Sequence, residues 1–200
     1  MAGTEALLVI DVQNDFLPGG ALAVPAGDAI VPLVNRLAAG FAEVVLTQDW
    51  HPADHFSFAS RHPGHAPFET IAAPYGPQTL WPDHCVMGTA GAALAVGLDI
   101  PHAGLILRKG RRRDVDSYSA FLEADRESRT GLDGWLAARG IGAVVLCGLA
   151  TDYCVAASAI DARRCGLAVT VIEGACRAID LDGSLARARG AMRAAGVDLR

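Results

Sequence analysis

Short apolar runs recur along the chain and alternate with segments of helical pattern. The runs are rich in leucine and valine and almost uninterrupted, which is typical of parallel strands covered on both faces. They span residues 6–12, 43–49, 104–109, 143–149 and 167–174. Helical patterns cover residues 28–39, 132–138, 151–165 and 182–196. This alternation predicts an α/β fold, in which helices lie on both sides of a parallel sheet.

Length and composition narrow the class of protein. The 200 residues are enough for one sizeable core, and neither a linker nor a repeat divides them, so we expect a single domain over residues 1–200. The net charge of −5 gives no broad basic surface, and nucleic acid is not an expected partner. The one basic run, Arg108 to Asp114, is interpreted as a solvated loop, with steering of anions as the alternative. A homo-oligomer is compatible with these features.

Apolar content and cysteine usage indicate the compartment. No apolar run approaches the roughly 18 residues of a membrane span. The N-terminal residues lead directly into a strand-like run, without the basic and then apolar layout of a signal peptide. The five cysteines are odd in number and form no CxxC pair, which favours free thiols in a reducing environment. We therefore expect a cytoplasmic protein without a membrane partner.

Polar residues stand at the ends of four of the predicted strands. Asp11 closes the first strand and Asp49 the second. Lys109 closes the third, and the turn from Cys147 to Cys154 closes the fourth. Any one of them has an ordinary structural explanation, such as a turn or a helix cap. Ligands of open parallel sheets bind beyond the carboxyl ends of the strands, and charged groups there need partners, so we expect the four to meet at one site.

These residue types form a set for acyl transfer. If Thr151 is the N-cap of the following helix, Cys154 is its third residue, where the helix dipole and free N–H groups favour a thiolate. The same N–H groups can bind the oxyanion that forms when an acyl carbon becomes tetrahedral. Asp11 can take the thiol proton and return it to a leaving group, and Lys109 can hold the two anions together.

A second cluster lies in the long irregular region from Trp50 to about Gly91, which holds five of the six histidines. Asp49 and His51 are two residues apart and can face the same way in extended chain, and His84 can join them from across the loop. Two imidazoles and a carboxylate suit one divalent ion, zinc before iron or manganese. His55 or Ser57 is a candidate fourth ligand, with water as the alternative. Singly, each histidine could instead bind only loop carbonyls.

Three aromatic residues are candidates for the walls of a flat pocket. They are Phe16, Trp81 and Tyr118. Aromatic residues are more often plain core, so this assignment depends on their neighbours. Cys147, inside a strand, is expected to be a buried structural thiol.

Five stretches together form a recognisable pattern. They read LLVIDVQNDFLPGG, TQDWHP.DHFSFAS, WPDHCV.GT.GA, RKG...DVDSYSAF and CGLATDYCV, with dots at positions outside the pattern. In combination they closely resemble the nicotinamidases of the isochorismatase-like cysteine hydrolase superfamily, over about residues 5–195. The resemblance implies a Rossmann-like, three-layer α/β/α fold with a mainly parallel sheet of about six strands. It also implies the conversion of nicotinamide and water to nicotinate and ammonia in NAD salvage, with activity on pyrazinamide expected as well.

The resemblance also implies roles for individual residues. The catalytic triad is Asp11, Lys109 and Cys154. The metal ligands are Asp49, His51 and His84. The oxyanion hole is formed by the backbone N–H groups of Ala150 and Cys154, after a cis peptide bond between Leu149 and Ala150. Phe16 and Trp81 match the aromatic walls around the pyridine ring.

Three other functions are compatible with parts of the pattern. A related amidohydrolase acting on carbamoyl or maleamate-type amides would keep Asp11, Lys109 and Cys154 but has little need for the Asp49, His51 and His84 cluster. A metal-dependent oxygenase would use the two histidines and the carboxylate, but it leaves the cysteine and the lysine unexplained. A non-catalytic ligand-binding relative should lack a member of the triad, and none is missing.

Overall fold

The computed structural model describes residues 4–200, which contain eight strands and four α-helices. The strands are β1 (Thr4–Ile10), β2 (Glu43–Asp49), β3 (Thr70–Ala73), β4 (Gly76–Thr79), β5 (Leu105–Lys109), β6 (Ile141–Leu149), β7 (Ala168–Arg177) and β8 (Asp198–Leu199). The helices are α1 (Val31–Ala38), α2 (Leu132–Ala138), α3 (Ala156–Arg164) and α4 (Ser184–Ala194).

Six strands form one parallel sheet in the order β5-β2-β1-β6-β7-β8. The first half of the chain extends the sheet on one side of β1, and the second half extends it on the other. The direction of winding therefore reverses between β1 and β6, and such a reversal opens a crevice at the carboxyl ends of the two strands. Helices flank the sheet, which confirms the predicted α/β fold.

The burial of the strands follows their place in the sheet. The last five residues of β1 and the last six of β6 are all buried, as nearly continuous apolar runs in central parallel strands should be. β5 differs from the prediction of a strand covered on both faces. It is an edge strand with alternating exposure, and Ile106 is 51% exposed.

The central strands approach closely because of one glycine. Gly148 has φ +122°, and a Cβ atom there would lie 2.1 Å from the carbonyl oxygen of Ile10. A side chain at this position would force β1 and β6 apart, just before the two residues at their ends, Asp11 and Ala150. The spacing of these strand ends thus depends on the absence of a side chain at residue 148.

The helices begin with tighter or wider turns than the sequence pattern predicts. A 3₁₀ turn over Gly27–Ile30 precedes α1, and a π-helical turn over Thr151–Val155 precedes α3. The residue before the π-helical turn is Ala150, so the prediction of Thr151 as the N-cap is wrong. No side-chain cap is formed, and Cys154 becomes the fourth helical residue instead of the third. Among residues 4–200, no helix is both long and apolar enough to cross a membrane.

The region from Trp50 to Gly91 is more ordered than its irregular sequence suggests. It contains an antiparallel hairpin of β3 and β4, whose short sequences lack an alternating apolar pattern. Isolated bridges join His51 to Val86 and Phe58 to Trp81. These links fold the region back on itself and bring its two ends to the carboxyl edge of the sheet.

Candidate active site

The polar residues predicted at the strand ends converge on the amine of Lys109. Lys109 Nζ lies 2.9 Å from Asp11 Oδ2 and 2.5 Å from Asp49 Oδ1. It also lies 3.4 Å from Cys154 Sγ. All four residues are at most 5% exposed, and they come from the ends of β1, β2 and β5 and the turn after β6. We call Asp11, Lys109 and Cys154 the triad.

The amine of Lys109 is a permanent cation. Burial alone would lower its pKa, but the charges of Asp11 and Asp49 outweigh burial and raise the pKa well above its ordinary value. The carbonyl oxygen of Ser117 accepts a further hydrogen bond from Nζ at 2.8 Å. One ammonium group therefore balances two carboxylates and faces the thiol.

The two oxygens of the Asp11 carboxylate have different partners. Its Oδ1 accepts a hydrogen bond from the Thr47 hydroxyl at 2.6 Å, and the Thr47 oxygen accepts the Asp11 N–H at 3.0 Å. Oδ2 is buried without a hydrogen-bond partner among the described residues, although Lys109 is in ion-pair contact with it. Burial raises the pKa of Asp11, and Lys109 opposes this in part. A carboxylate in this state can accept a proton and give it back.

The thiol of Cys154 keeps its proton until a base removes it. Burial raises its pKa well above the ordinary value, and the charge of Lys109 only partly opposes this. An oxygen of Asp11 lies within 4.8 Å of the sulfur. Asp11 is therefore close enough to act as the base for this thiol.

A second group of buried side chains adjoins the triad. One ligand atom each from Asp49, His51 and His84 lies within 4.8 Å of the others. Asp49 Oδ2 is 3.8 Å from His51 Nε2 and 4.0 Å from His84 Nε2. We call these three residues the metal trio. The spacing allows all three atoms to contact one ion between them, which is how a divalent metal is held.

Backbone carbonyls fix both imidazoles of the metal trio. His51 Nδ1 is 2.8 Å from the carbonyl oxygen of Gly110, and His84 Nδ1 is 2.8 Å from that of Pro82. Each Nδ1 therefore carries a proton and donates a hydrogen bond to the carbonyl, so the neutral form of each ring has its lone pair on Nε2, towards Asp49. Gly110, with φ +65°, permits this approach, since a Cβ there would lie 2.4 Å from His51 Cε1.

The charge states of Asp49 and His84 also suit a cation. Burial and the neighbouring His51 lower the pKa of His84 to about 4, so its imidazole is neutral near pH 7. Burial alone would raise the pKa of Asp49, but Lys109 and His51 hold it below its ordinary range. Burial alone would lower the pKa of His51, and Asp49 raises it. Gln13 holds the backbone of Asp49 in place, accepting its N–H and donating to its carbonyl at 2.8 Å each.

The two candidates for a fourth ligand interact with each other. His55 Nδ1 is 2.8 Å from the hydroxyl oxygen of Ser57, and its Nε2 is 3.2 Å from the carbonyl oxygen of Val115. The ring of His55 stacks on that of His51, with centroids 4.2 Å apart. Both candidates are therefore placed beside the metal trio, with their polar atoms engaged elsewhere.

A pocket with aromatic walls opens above the triad. Phe16, Trp81 and Tyr118, the three aromatic candidates, all line it together with Cys154 and the metal trio. The indole N–H of Trp81 donates to the Tyr118 hydroxyl at 3.0 Å, which fixes one wall. Sequence reasoning missed four lining residues: Leu22, Asp116, Tyr153 and Ile179. Tyr153 and Asp116 stand inside the family-like stretches CGLATDYCV and DVDSYSAF, the one signal that could have found them.

Two further predictions concern residues around the site. The peptide bond between Leu149 and Ala150 is cis, as the family resemblance implies. In the basic run, Arg112 pairs with Glu123 and Asp125, and Arg113 pairs with Asp54. Two of its arginines thus belong to local ion pairs on the surface.

Comparison with known proteins covers nearly the whole chain. The Isochorismatase domain family model matches residues 5–199. The chain is 57% identical over 196 residues to the nicotinamidase of Acinetobacter baylyi, covering 98% of this chain and 92% of the relative.

Solved structures agree with this. A nicotinamidase and pyrazinamidase of Acinetobacter baumanii superposes with a TM-score of 0.97 at 54% identity, covering 98% of this chain and 95% of that one. The pyrazinamidase of Pyrococcus horikoshii, solved in complex with zinc, superposes with a TM-score of 0.80 at 36% identity, covering 98% of each chain.

Proposed function

The chain belongs to the isochorismatase domain family, and we infer that it is a nicotinamidase, which hydrolyses nicotinamide to nicotinate and ammonia in NAD salvage. The observation that carries the route is the position of Lys109 Nζ, 2.9 Å from Asp11, 2.5 Å from Asp49 and 3.4 Å from Cys154. The Lys109 ammonium therefore contacts both the pair of Cys154 and Asp11 and the metal trio, through Asp49. Pyrazinamide, a flat aromatic amide of similar size, is proposed as a second substrate.

The first half of the reaction forms a thioester. Asp11 takes the proton of Cys154 as the sulfur attacks the amide carbon, and the electron pair of the C=O bond moves to oxygen. The backbone N–H groups of Ala150 and Cys154 donate to that oxygen. When the carbonyl re-forms, the C–N bond breaks and Asp11 delivers its proton to the nitrogen, which leaves as ammonia.

The second half releases the acid. Water attacks the thioester carbon while Asp11 takes its proton, and the C–S bond then breaks. The proton returns to the sulfur, and nicotinate leaves. Lys109 stays protonated throughout, since two carboxylates raise its pKa. Its role is to hold Asp11 and to balance negative charge on the sulfur.

The metal trio fits a divalent ion, because two imidazole Nε2 atoms and a carboxylate oxygen lie close enough together to contact one ion. Zinc is the proposed ion, supported by the zinc complex of the Pyrococcus horikoshii pyrazinamidase, with iron and manganese as alternatives. When bound, the ion would offer a Lewis-acid partner to the ring nitrogen of the substrate. His55 and Ser57 hydrogen-bond with each other, so Asp49, His51 and His84 are the proposed protein ligands.

The aromatic residues around the pocket would position the substrate through the shape of the pocket. Phe16, Trp81 and Tyr118 are proposed to hold the flat ring, so that its amide carbon faces Cys154. The same arrangement disfavours the carbamoyl and maleamate-type alternative, because those amides have no aromatic ring to fill the pocket. The cytoplasm is the proposed compartment, because all five cysteines are free thiols and the nucleophile acts only in its reduced form.

Ammonia release from nicotinamide by the purified chain tests this function. We expect turnover by the wild type, loss of turnover in Cys154→Ala, and no loss in Cys165→Ala, which removes an exposed thiol outside the site. Removal of the metal by a chelator should lower the rate, and added zinc should restore it. A wild-type preparation that carries metal but releases no ammonia from nicotinamide would contradict the proposal.

A further inference from the structure

The connection between β7 and α4 forms part of the pocket, although it belongs to neither a strand nor an α-helix. Ile179, in this connection, lines the pocket together with Cys154. Asp180 has φ +56°, Asp182 has φ +49° and Gly183 has φ +76°. Asp180 and Asp182 are therefore non-glycine residues in the left-handed conformation, close to a residue that lines the pocket. Such a backbone conformation persists only where surrounding contacts fix it.

Asp152 supplies such contacts from the turn that carries the nucleophile. Its Oδ1 accepts the backbone N–H of Ile179 at 3.1 Å. Its Oδ2 accepts the N–H of Asp180 at 2.8 Å and the hydroxyl of Ser184 at 2.5 Å. Asp152 belongs to the π-helical turn and stands two residues before Cys154. A single carboxylate therefore joins the nucleophile's own turn to the segment that carries Ile179.

The other side-chain hydrogen bonds described for this connection are local. Asp180 Oδ1 accepts the N–H of Leu185, and Arg187 donates to the carbonyls of Leu181 and Asp182. These groups belong to the connection itself or to α4, so they shape the segment without fastening it to the pocket. Among the side-chain hydrogen bonds described for residues 178–183, those of Asp152 are the ones that reach the turn of the nucleophile.

We propose that Asp152 is a positioning residue for substrate recognition, which holds Ile179 at the distance from Cys154 that admits a flat six-membered ring and excludes wider aromatic amides. This proposal rests on the nicotinamidase function. Without the three hydrogen bonds, the segment moves outward and the pocket widens on the side of Ile179. Asp152 itself touches neither the substrate nor the reacting atoms.

The test is a double-substitution cycle with three amides of different width. Asp152→Ala, Ile179→Ala and the double variant are compared with the wild type for kcat/KM on nicotinamide, 5-methylnicotinamide and quinoline-3-carboxamide. We expect each single variant to raise KM for nicotinamide and to shift the preference towards at least one wider amide by about tenfold, the order of one or two methylene contacts. The double variant should shift it no further, because both changes remove the same wall.

Two measurements separate this role from general damage to the site. The rate of Cys154 alkylation by iodoacetamide, in a Cys165→Ala background, should stay within about threefold of the control in Asp152→Ala, since the triad is untouched. Hydrogen exchange at the Ile179 and Asp180 amides should accelerate. Asp133→Ala, on the surface helix α2, serves as a matched loss of one carboxylate and should change neither.

Several results would overturn the proposal. One is an equal loss on all amides in Asp152→Ala together with slower alkylation, which would mean that Asp152 supports the nucleophile instead. Another is an unchanged preference in Ile179→Ala, which would mean that Ile179 sets no limit on ring width. Additive shifts in the double variant would mean that the two residues act separately. Failure of the nicotinamidase function itself is distinguishable, because it appears as an inactive wild type before any variant is compared.

Discussion

The triad and the metal trio meet at Lys109 but are built in different ways. Asp11 and Lys109 sit at strand ends, and Cys154 follows a strand by one turn, so the sheet sets their spacing. In the metal trio only Asp49 ends a strand. His51 and His84 lie in the long region after β2 and depend on single hydrogen bonds to backbone carbonyls.

This difference in construction suggests that the triad carries out the chemical steps and that the metal trio serves metal and substrate binding. Strand ends in a parallel sheet are rigid, which suits groups that must exchange a proton over a short distance. Loop residues held by individual contacts can be shaped to a ligand, but each contact can be lost alone. We therefore expect substitutions in the triad to act mainly on kcat, and substitutions around the metal trio to act mainly on metal and substrate binding.

The largest effect is expected at the nucleophile. Cys154→Ala should lower kcat by roughly 10⁴- to 10⁶-fold, as removal of a nucleophile does, while circular dichroism shows an intact fold. A thiol and a methyl group differ little in volume, so the core around the π-helical turn should survive. A folded variant that retained more than a few per cent of the wild-type rate would exclude a thioester route.

Substitutions of Asp11 and Lys109 should give the next largest losses of kcat. Asp11→Asn keeps the shape but removes the proposed base, and Lys109→Ala leaves two carboxylates facing each other, so we expect each to lower kcat by about 10³-fold or more. Alkylation of Cys154 near neutral pH, measured in a Cys165→Ala background, should slow in parallel. Wild-type alkylation rates in both variants would place these residues outside the environment of the nucleophile.

The same contrast explains which residues the sequence could predict. Asp11, Asp49 and Lys109 could be predicted from position, because a polar residue at the end of a predicted parallel strand lies at the carboxyl edge of the sheet. Ile179 is not, since its place in the pocket depends on how a connection of left-handed residues folds back.

Local hydrogen bonding also decides features that the sequence pattern leaves open. Thr151 is a plausible cap by residue type, yet the helix begins at Thr151 itself, with a π-helical turn and no side-chain cap. The β3–β4 hairpin has no alternating apolar pattern, and its sequence includes Pro77. It is paired in the fold although neither strand would be assigned from periodicity. The parallel sheet flanked by helices, by contrast, follows from the alternation, and its number of about six strands from the family resemblance.

Loss of the metal should act on the substrate that has a ring nitrogen. His51→Ala or chelation is expected to lower kcat/KM for nicotinamide by about 100-fold, mostly through KM, because the ring loses its positioning contact. Benzamide lacks the ring nitrogen and should be a poor substrate that loses no more than about threefold on chelation. A two-by-two comparison of both amides with and without metal decides this. Equal losses would mean that the ion acts on the amide group.

A smaller effect is expected at the glycine beneath His51. A Cβ at Gly110 would meet the His51 ring at 2.4 Å, so Gly110→Ala should weaken metal binding by about tenfold through a displaced imidazole. Gly88→Ala is the matched control. Gly88 also has a positive φ, +79°, but has nothing within 4 Å of the added carbon. Competition with a chelator measures both. Equally weakened metal binding in the two variants would show that the effect comes from backbone strain and not from contact with His51.

The smallest effect is expected where a salt bridge restrains the loop between β5 and α2. Arg126 donates to both oxygens of the buried Asp161 on α3, at 2.9 and 2.6 Å, and the same loop carries Ser117 and Tyr118 into the site. Asp161→Asn should lower the free energy of unfolding by about 1–3 kcal/mol and raise KM by only about threefold. Asp133→Asn, which breaks a surface pair with Arg129, should cost no more than about 0.5 kcal/mol.

The pH dependence gives this last prediction its sign. Burial alone would raise the pKa of Asp161, but hydrogen bonds from Arg126, Ser119 and Arg164 outweigh it and lower the pKa below its ordinary value. The stabilisation is therefore complete above the pKa of the unfolded chain and is lost as the pH falls through the lower pKa of the folded protein. Urea unfolding at pH 7 and below about pH 4 should show the gap between wild type and Asp161→Asn narrowing in acid. A gap that stayed constant or widened in acid would mean that Asp161 stabilises the loop by packing and not by charge.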